Sequence, residues 1–250
     1  MSATQTDWNA KHYAKNSPVQ KSISSVMLED EDLNNLKVLD VGCGDGAITA
    51  QMKTDTNTVV GLDSSGDMIK FAHENYQECT FIEQDIREFE SVSQFDLVTS
   101  FNCLHWISNV EQALANIYQA TNKGGKFIGV IYPRCKDLWQ ASENLLAKYQ
   151  SYFKNFSNPY QFHTLCSFSS LLRDTGFSKL KISHEVRSAS FNNEKQFIDY
   201  IAGWMPHAKV TPPEFMTDWL AEYKQLTNQN GSSTIEMSYD VILFKCFKVC

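Results

Sequence analysis

The first half of the chain alternates short apolar runs with amphipathic segments. Runs rich in apolar and β-branched residues predict strands at 38–39, 59–62, 80–82, 95–99 and 126–132. Between them, the apolar positions of 67–72 and 110–120 recur at helical spacing, which predicts helices. Repeated strand–helix alternation produces a parallel sheet with right-handed crossovers. We therefore expect an α/β fold, Rossmann-like and doubly wound, with a mostly parallel sheet.

The second half, after residue 133, is richer in helical patterns. Helices are expected at 137–153, 194–205 and 213–226, and around Phe168 to Leu172 before a stop at Gly176. Strands are expected at 179–186 and 238–247. The predicted organisation is an N-terminal lid (1–30), a ligand-binding core (31–132), an inserted helical cap (133–232) with one core strand at about 179–187, and a C-terminal core strand (233–250).

The composition argues against several classes of function. The 250 residues carry a formal charge of -7, from 29 acidic and 22 basic side chains, which argues against nucleic acid as a partner. The 7 cysteines form no Cys-x-x-Cys pair, which is typical of reduced thiols and indicates no metal site. No apolar run approaches the roughly 20 residues of a membrane span, and no secretory signal precedes the core. We expect a cytoplasmic protein that needs neither a membrane nor an obligatory protein partner.

A glycine-rich turn follows the first predicted strand. Gly42, Gly44 and Gly46 lack a Cβ, so the main chain can take positive φ and a ligand can approach it closely. Asp63 ends the second strand about 20 residues later, where a carboxylate binds ribose hydroxyls in dinucleotide-type folds. The Gly-x-Gly-x-Gly spacing departs from the dinucleotide fingerprint, Gly-x-Gly-x-x-Gly. A nicotinamide cofactor nevertheless remains an alternative at this point.

A second acidic position follows the third predicted strand. Asp85 could accept a hydrogen bond from an adenine amino group while Ile86 packs on the ring face. With the glycine turn and Asp63, this pair predicts an adenosyl-type ligand at the carboxyl edge of the sheet.

These segments resemble a known family. Residues 38–46, 61–65 with Met68, 84–86 and 95–98 resemble the Rossmann-like S-adenosylmethionine-dependent methyltransferases. Residues 12–21, 102–107 and the pair Gly124-Gly125 are similar to the trans-aconitate and juvenile-hormone-acid methyltransferases, which esterify carboxylates. The resemblance implies S-adenosylmethionine as cofactor and a small-molecule carboxylic acid as substrate.

The resemblance also implies site residues. Those that would bind the cofactor are Asp40, Gly42, Cys43, Gly44, Asp63, Ser64, Met68, Asp85, Ile86, Phe101 and Asn102. Within that set, Asp40 would lie near the methionine amino group, and Phe101 and Asn102 would line the floor beside the sulfonium. Gln20 and Trp106 match the positions that contact the substrate acid. His105 is open to a catalytic or a structural interpretation.

The acceptor chemistry separates the remaining alternatives. A carboxylic acid has a pKa of about 4, so near neutral pH it is already an anionic nucleophile and needs no base. A methyltransferase acting on a carbon, an amine or an acyl carrier would need a base or a polarising group, for which His105 or Tyr13 could serve. A non-catalytic cofactor-binding protein is a further alternative.

Overall fold

The computed structural model describes residues 10–15 and 18–249, without the side chains of His12, Lys15, Pro18, Gln20 and Lys21. The chain divides into two compact units. The core unit comprises the described residues up to Pro133, with Gln161–Glu185 and the chain from Val241. The helical unit comprises Arg134–Tyr160 and Val186–Asp240. Within the described ranges, no helix has the length and apolar character needed to span a bilayer.

A seven-stranded sheet organises the fold, in the order β3-β2-β1-β4-β5-β7-β6. Its strands are β1 (Lys37–Val41), β2 (Thr58–Asp63), β3 (Thr80–Glu83), β4 (Phe95–Phe101), β5 (Thr121–Ile131), β6 (Ser178–Phe191) and β7 (Ile235–Phe247). β1 to β5 pair in parallel, and β7 pairs antiparallel with β5. The prediction of a mostly parallel, doubly wound sheet is confirmed. The strand order reverses between β1 and β4, and the glycine turn directly follows β1.

The described helices are α1 (Ala10–Lys15), α2 (Pro18–Leu28), α3 (Ala47–Gln51), α4 (Gly66–Asn75), α5 (Val110–Ala120), α6 (Lys136–Asn144), α7 (Leu165–Thr175), α8 (Glu194–Trp204), α9 (Pro206–Val210) and α10 (Glu214–Leu226). Their ends follow from local side chains. The Asn109 side chain accepts from the Gln112 N–H at the start of α5, and the Thr164 side chain accepts from the Ser167 N–H at the start of α7. Gly176, with φ 112°, ends α7.

Both faces of the sheet are buried. Leu39 of β1 packs in one apolar cluster with Leu114 and Ile117 of α5. Val38, the adjacent residue of β1, packs on the opposite face with Ile69 of α4. Because successive side chains of a strand point to opposite faces, the apolar run of β1 is explained by helices on both sides.

The helix expected at 137–153 is shorter than predicted, since α6 ends at Asn144. Beyond it the chain continues in turns, with the Leu145 N–H bonded to the Ser142 carbonyl. Tyr149 explains the change, because its ring packs edge-on against Phe215 and its hydroxyl donates to Asp218 over 2.5 Å. Tertiary contacts of the helical unit therefore override the local helical pattern.

Helix α7 belongs to the core unit, whereas the sequence pattern placed it within the cap region at 133–232. Phe168 and Leu172 of α7 pack in the same apolar cluster as Phe127 of β5, which attaches the helix to the sheet. The role of the helical unit as a substrate cap stays a prediction, as does that of the N-terminal segment as a lid.

Candidate functional site

The glycine turn is held by hydrogen bonds from its own backbone. The Leu62 carbonyl accepts from the Gly42 N–H over 2.7 Å and from the Cys43 N–H over 3.1 Å. The Gly44 N–H donates to Asp63 Oδ2 over 3.0 Å. With these three N–H groups committed, the backbone groups that the same residues can offer a ligand are carbonyl oxygens. Carbonyls suit an ammonium group, such as that of the methionine moiety of S-adenosylmethionine.

Gly42 and Gly44 are required for different reasons. Gly42 has φ 72°, and a Cβ there would overlap both Cβ and Sγ of Cys103. Gly44 has φ 54°, and the nearest atom to a Cβ there would be a ring carbon of Tyr13 at 3.8 Å. The first glycine is thus required by a neighbouring side chain, and the second leaves room above the main chain. Cys43 itself is buried at 6% exposure, and its thiol packs inward.

Asp40 anchors the base of the turn. Its carboxylate accepts from the Thr49 hydroxyl over 2.6 Å and from the Thr99 hydroxyl over 2.8 Å. Burial raises the pKa of Asp40 to about 6, against the opposing effect of the two hydroxyl hydrogen bonds. The side chain therefore ties α3 and β4 to β1, and this fixes the direction in which the glycine turn leaves the sheet.

Asp63 closes the turn from the neighbouring strand. Its Oδ1 accepts from the Ser65 N–H over 2.9 Å, while Oδ2 accepts from Gly44. Burial raises its pKa despite these backbone hydrogen bonds. A carboxylate offers about four acceptor positions, and those that the N–H groups of Gly44, Ser64 and Ser65 do not occupy are open to a ribose hydroxyl. Of the two predicted residues beyond it, Ser64 is exposed and Met68 is buried in α4.

Asp85 is held by Arg87, a residue that the sequence pattern did not indicate. The Arg87 guanidinium donates to Asp85 through Nε at 3.0 Å and Nη2 at 2.5 Å, and these bonds lower the pKa of the carboxyl. Asp85 also caps a short 3₁₀ helix by accepting from the Arg87 N–H. An adenine amino group would share this carboxylate with the guanidinium. The Ile86 side chain packs in the core at 5% exposure, which leaves little of it for a ring face.

The loop after β4 brings two distant segments together. Asn102 has a φ of 60°, and its amide Nδ2 donates to the Tyr13 hydroxyl of α1 over 3.2 Å. Phe101 before it is buried. Burial raises the pKa of Tyr13 well above its ordinary value, so the phenol stays protonated at neutral pH. The structure thus places Tyr13 over the glycine turn as a neutral hydrogen-bonding group.

His105 and Trp106 follow in a short 3₁₀ helix. The His105 ring is 1% exposed, and its Nδ1 faces the Tyr132 N–H at 3.5 Å. Burial lowers the pKa of His105 to about 3, so the ring is neutral. These contacts favour the structural interpretation of His105. Trp106 is half-buried, with its ring centroid 5.5 Å from that of His105.

The remaining predicted site residue is Gln20. It lies in α2, and its side chain falls outside the described atoms. Among the described residues, no group of three or more histidine, cysteine or acidic side chains could hold a metal ion.

Sequence reasoning missed the partners that orient the site, namely Thr49, Arg87 and Thr99. Arg87 carried a local signal, because it stands two residues after a carboxylate that begins a helical turn. No local sequence signal indicated the two threonines. Thr99 reaches Asp40 because β4 pairs with β1, and Thr49 reaches it because α3 packs beside β1.

Comparison with known proteins shows which proteins this chain resembles. Residues 39–129 match the family model described as a methyltransferase domain. The chain is 25% identical to a putative methyltransferase of Invertebrate iridescent virus 6, over 95% of this chain and 92% of that protein. It is 28% identical to juvenile hormone acid O-methyltransferase of Drosophila melanogaster (81% and 75% covered) and 27% identical to trans-aconitate 2-methyltransferase of Escherichia coli (60% of each).

Solved structures share the fold. The YcgJ protein of Bacillus subtilis aligns with a TM-score of 0.66 at 15% identity, over 92% of this chain and 99% of that one. A phosphoethanolamine N-methyltransferase of Haemonchus contortus, in complex with S-adenosyl-L-methionine, aligns with a TM-score of 0.60 at 17% identity. That alignment covers 96% of this chain and 56% of the other.

Proposed function

We propose that this S-adenosylmethionine-dependent methyltransferase makes methyl esters of a small or medium carboxylic acid, without a general base. When bound, the cofactor supplies an electrophilic methyl group. The chain's own task is then to orient an acceptor that is already nucleophilic and to exclude water from it.

The observation that carries this proposal is the state of the two candidate bases, Tyr13 and His105. The Tyr13 phenol is half-buried, its pKa is raised by desolvation, and its oxygen accepts a hydrogen bond from Asn102. The His105 imidazole has a pKa of about 3, so it is a very weak base. An efficient general base has a pKa near the working pH, and neither group meets that condition. A carboxylate acceptor requires no such group.

The names of two relatives support the same acceptor class. One is a juvenile hormone acid O-methyltransferase and another a trans-aconitate 2-methyltransferase. At 28% and 27% identity, they support an acid as the acceptor but not a particular acid.

In the proposed complex, each part of the site has one role. The Gly42 and Gly44 carbonyls accept from the ammonium group of the cofactor, and Asp63 accepts from its ribose hydroxyls. Asp85 accepts from the adenine amino group. Gln20 and Trp106 contact the acceptor, and an aromatic face beside a sulfonium contributes about 0.5–2 kcal/mol.

A screen of acceptors tests the proposal. The protein is incubated with S-adenosylmethionine and panels of carboxylic acids, amines and phenols, while S-adenosylhomocysteine release is followed and products are identified by mass. We expect turnover with acids, and products that alkaline hydrolysis returns to the acid. Turnover confined to amines or phenols would contradict the proposal, as would cofactor binding without turnover of any acid.

Two side-chain changes test the acceptor contacts. Gln20→Leu and Trp106→Leu should raise the KM for the acid by about tenfold, while the Kd for S-adenosylmethionine changes less than about twofold. Trp106→Phe, which keeps an aromatic face, is the matched control and should retain most of the activity. Equal losses of acid use and cofactor affinity would show that these side chains support the structure instead.

A further inference from the structure

Tyr13 lies at the glycine turn and has no role among the proposed cofactor contacts. It belongs to α1, which lies against α4. The Tyr13 ring is half-buried, and a Cβ at Gly44 would lie 3.8 Å from its Cε1 atom. The ring therefore borders the space directly above the main chain of the turn, and a ligand seated on the turn would contact it.

Asn102 holds the Tyr13 hydroxyl in place. Its Nδ2 donates to the phenol oxygen over 3.2 Å. The backbone of Asn102 has a φ of 60°, a left-handed conformation that residues other than glycine seldom adopt, and its N–H donates to the Val130 carbonyl over 3.3 Å. A strained backbone thus aims the amide at a hydroxyl beside the glycine turn, and such strain is common at ligand sites.

The methionine moiety of S-adenosylmethionine carries a carboxylate as well as an ammonium group. The N–H groups of Gly42, Cys43 and Gly44 already donate within the protein, so the turn offers carbonyls to the ammonium group and no donor to the carboxylate. A desolvated charge without a partner is costly, so the carboxylate needs a donor from another segment. The Tyr13 phenol is such a donor, because desolvation raises its pKa well above the ordinary value and it keeps its proton at neutral pH.

We propose that the Tyr13 hydroxyl donates a hydrogen bond to the carboxylate of the methionine moiety, while its oxygen accepts from Asn102. Tyr13 is then a cofactor-binding residue, and Asn102 is a positioning residue that acts through it. A neutral donor suits this end of the cofactor, because a cation there would repel the ammonium and sulfonium groups. Since Tyr13 lies on α1, the same hydrogen bond ties α1 to the bound cofactor.

The test separates the methionine moiety from the rest of the cofactor. S-adenosylhomocysteine keeps the carboxylate and the ammonium group, whereas methylthioadenosine lacks both. The Kd of each ligand is measured by calorimetry, together with Tm, for the full-length unaltered protein, Tyr13→Phe, Asn102→Gly and the double variant. Glycine removes the amide and accepts the positive φ without strain. Asn35→Gly is the matched control, because Asn35 is exposed and has a φ of 59°.

We expect Tyr13→Phe to raise the Kd for S-adenosylhomocysteine by about tenfold, because hydrogen bonds to a charged group are strong, and to change the Kd for methylthioadenosine by less than about twofold. Asn102→Gly should raise the Kd for S-adenosylhomocysteine by about threefold or more, and the double variant should bind as Tyr13→Phe does, since the amide acts through the phenol. Asn35→Gly should match the unaltered protein.

An unchanged Kd for S-adenosylhomocysteine in Tyr13→Phe would overturn the proposal. Equal losses for the two ligands would also overturn it, because they would show that Tyr13 supports the fold of the site. If the losses of Tyr13→Phe and Asn102→Gly added in the double variant, the positioning role of Asn102 would be refuted. These measurements need no methyl acceptor, so they decide the role of Tyr13 whether or not the protein methylates an acid.

Discussion

The Cys103 side chain fills the space that a Cβ of residue 42 would need, because both its Cβ and its Sγ lie where that atom would stand. Gly42→Ala should therefore force the loop after β4 away from the glycine turn. Strain at positive φ and the steric clash together should cost about 2–4 kcal/mol of folding free energy. Chemical denaturation and calorimetry with S-adenosylmethionine measure the two consequences, lower stability and weaker cofactor binding.

A matched control isolates the clash from the backbone strain. Gly124 has φ 80°, and a Cβ at that position would meet no atom within 4 Å, so Gly124→Ala imposes the strain alone. Its cost should be about 1 kcal/mol, and cofactor affinity should not change. Similar losses of stability in both variants would show that Cys103 does not determine the identity of residue 42.

Asp63 gives a prediction about cofactor affinity. Asp63→Asn keeps the shape of the side chain but removes the charge that accepts from the Gly44 N–H and, in the proposed complex, from ribose hydroxyls. We expect the Kd for S-adenosylmethionine to rise by about tenfold or more, since hydrogen bonds to a charged group contribute about 1.5–3 kcal/mol. Asp67→Asn, at an exposed carboxylate of the neighbouring helix, is the control. Unchanged affinity in Asp63→Asn would refute the ribose assignment.

Asp40 gives a prediction about pH. Its folded pKa is about 6, above the ordinary 3.8, so the folded state binds the proton more tightly than the unfolded state. This stabilising contribution is present below pH 3.8 and is lost as pH rises through about 6. Asp40→Asn should therefore gain stability relative to the unaltered protein as pH rises from about 4 to 7, by about 2 kcal/mol. If the free energy of unfolding changed with pH in the same way for Asp40→Asn and for the unaltered protein, this expectation would be contradicted.

His207 in the helical unit predicts the opposite pH dependence. Its ring lies 4.9 Å from Phe156 and stacks on Phe215, its Nδ1 has no partner among the described residues, and burial lowers its pKa to about 4. Because the folded state favours the neutral ring, its contribution is present above pH 6.5, the ordinary pKa, and is lost as pH falls toward 4. His207→Phe should weaken the acid sensitivity of the Tm, whereas His184→Phe, a change at an exposed histidine, should not. If the Tm of the unaltered protein, of His207→Phe and of His184→Phe fell equally at low pH, the acid sensitivity would not arise from His207.

Much of the fold could be predicted because its signals are local. The apolar runs of the parallel strands, the Asn109 cap of α5 and Gly176 after α7 all lie within or beside the elements they define. The end of α6 at Asn144 could not be predicted, since it depends on the contacts of Tyr149 with a helix far along the chain.

Part of the candidate site could likewise be predicted from the sequence, and part could not. The glycine turn, Asp63 and Asp85 are recognisable from spacing, because each stands at or just beyond the end of a strand. The contact of Asn102 with Tyr13 joins residues 89 positions apart, and the burial of His105 arises from packing. Sequence patterns can indicate which residues would bind a ligand. They cannot indicate the pKa of a side chain beside it, because that pKa depends on the tertiary environment.

The shared Leu62 carbonyl has a consequence for selectivity. A dinucleotide places a pyrophosphate against the turn that follows the first strand, and phosphate oxygens bind there to main-chain N–H donors. In this protein the N–H groups of Gly42, Cys43 and Gly44 donate to the Leu62 carbonyl and the Asp63 carboxylate, so none of the three is available to a phosphate oxygen. We therefore expect selection against nicotinamide coenzymes to lie partly in the main chain, because the bonds from Gly42 and Cys43 to Leu62 do not depend on any side chain.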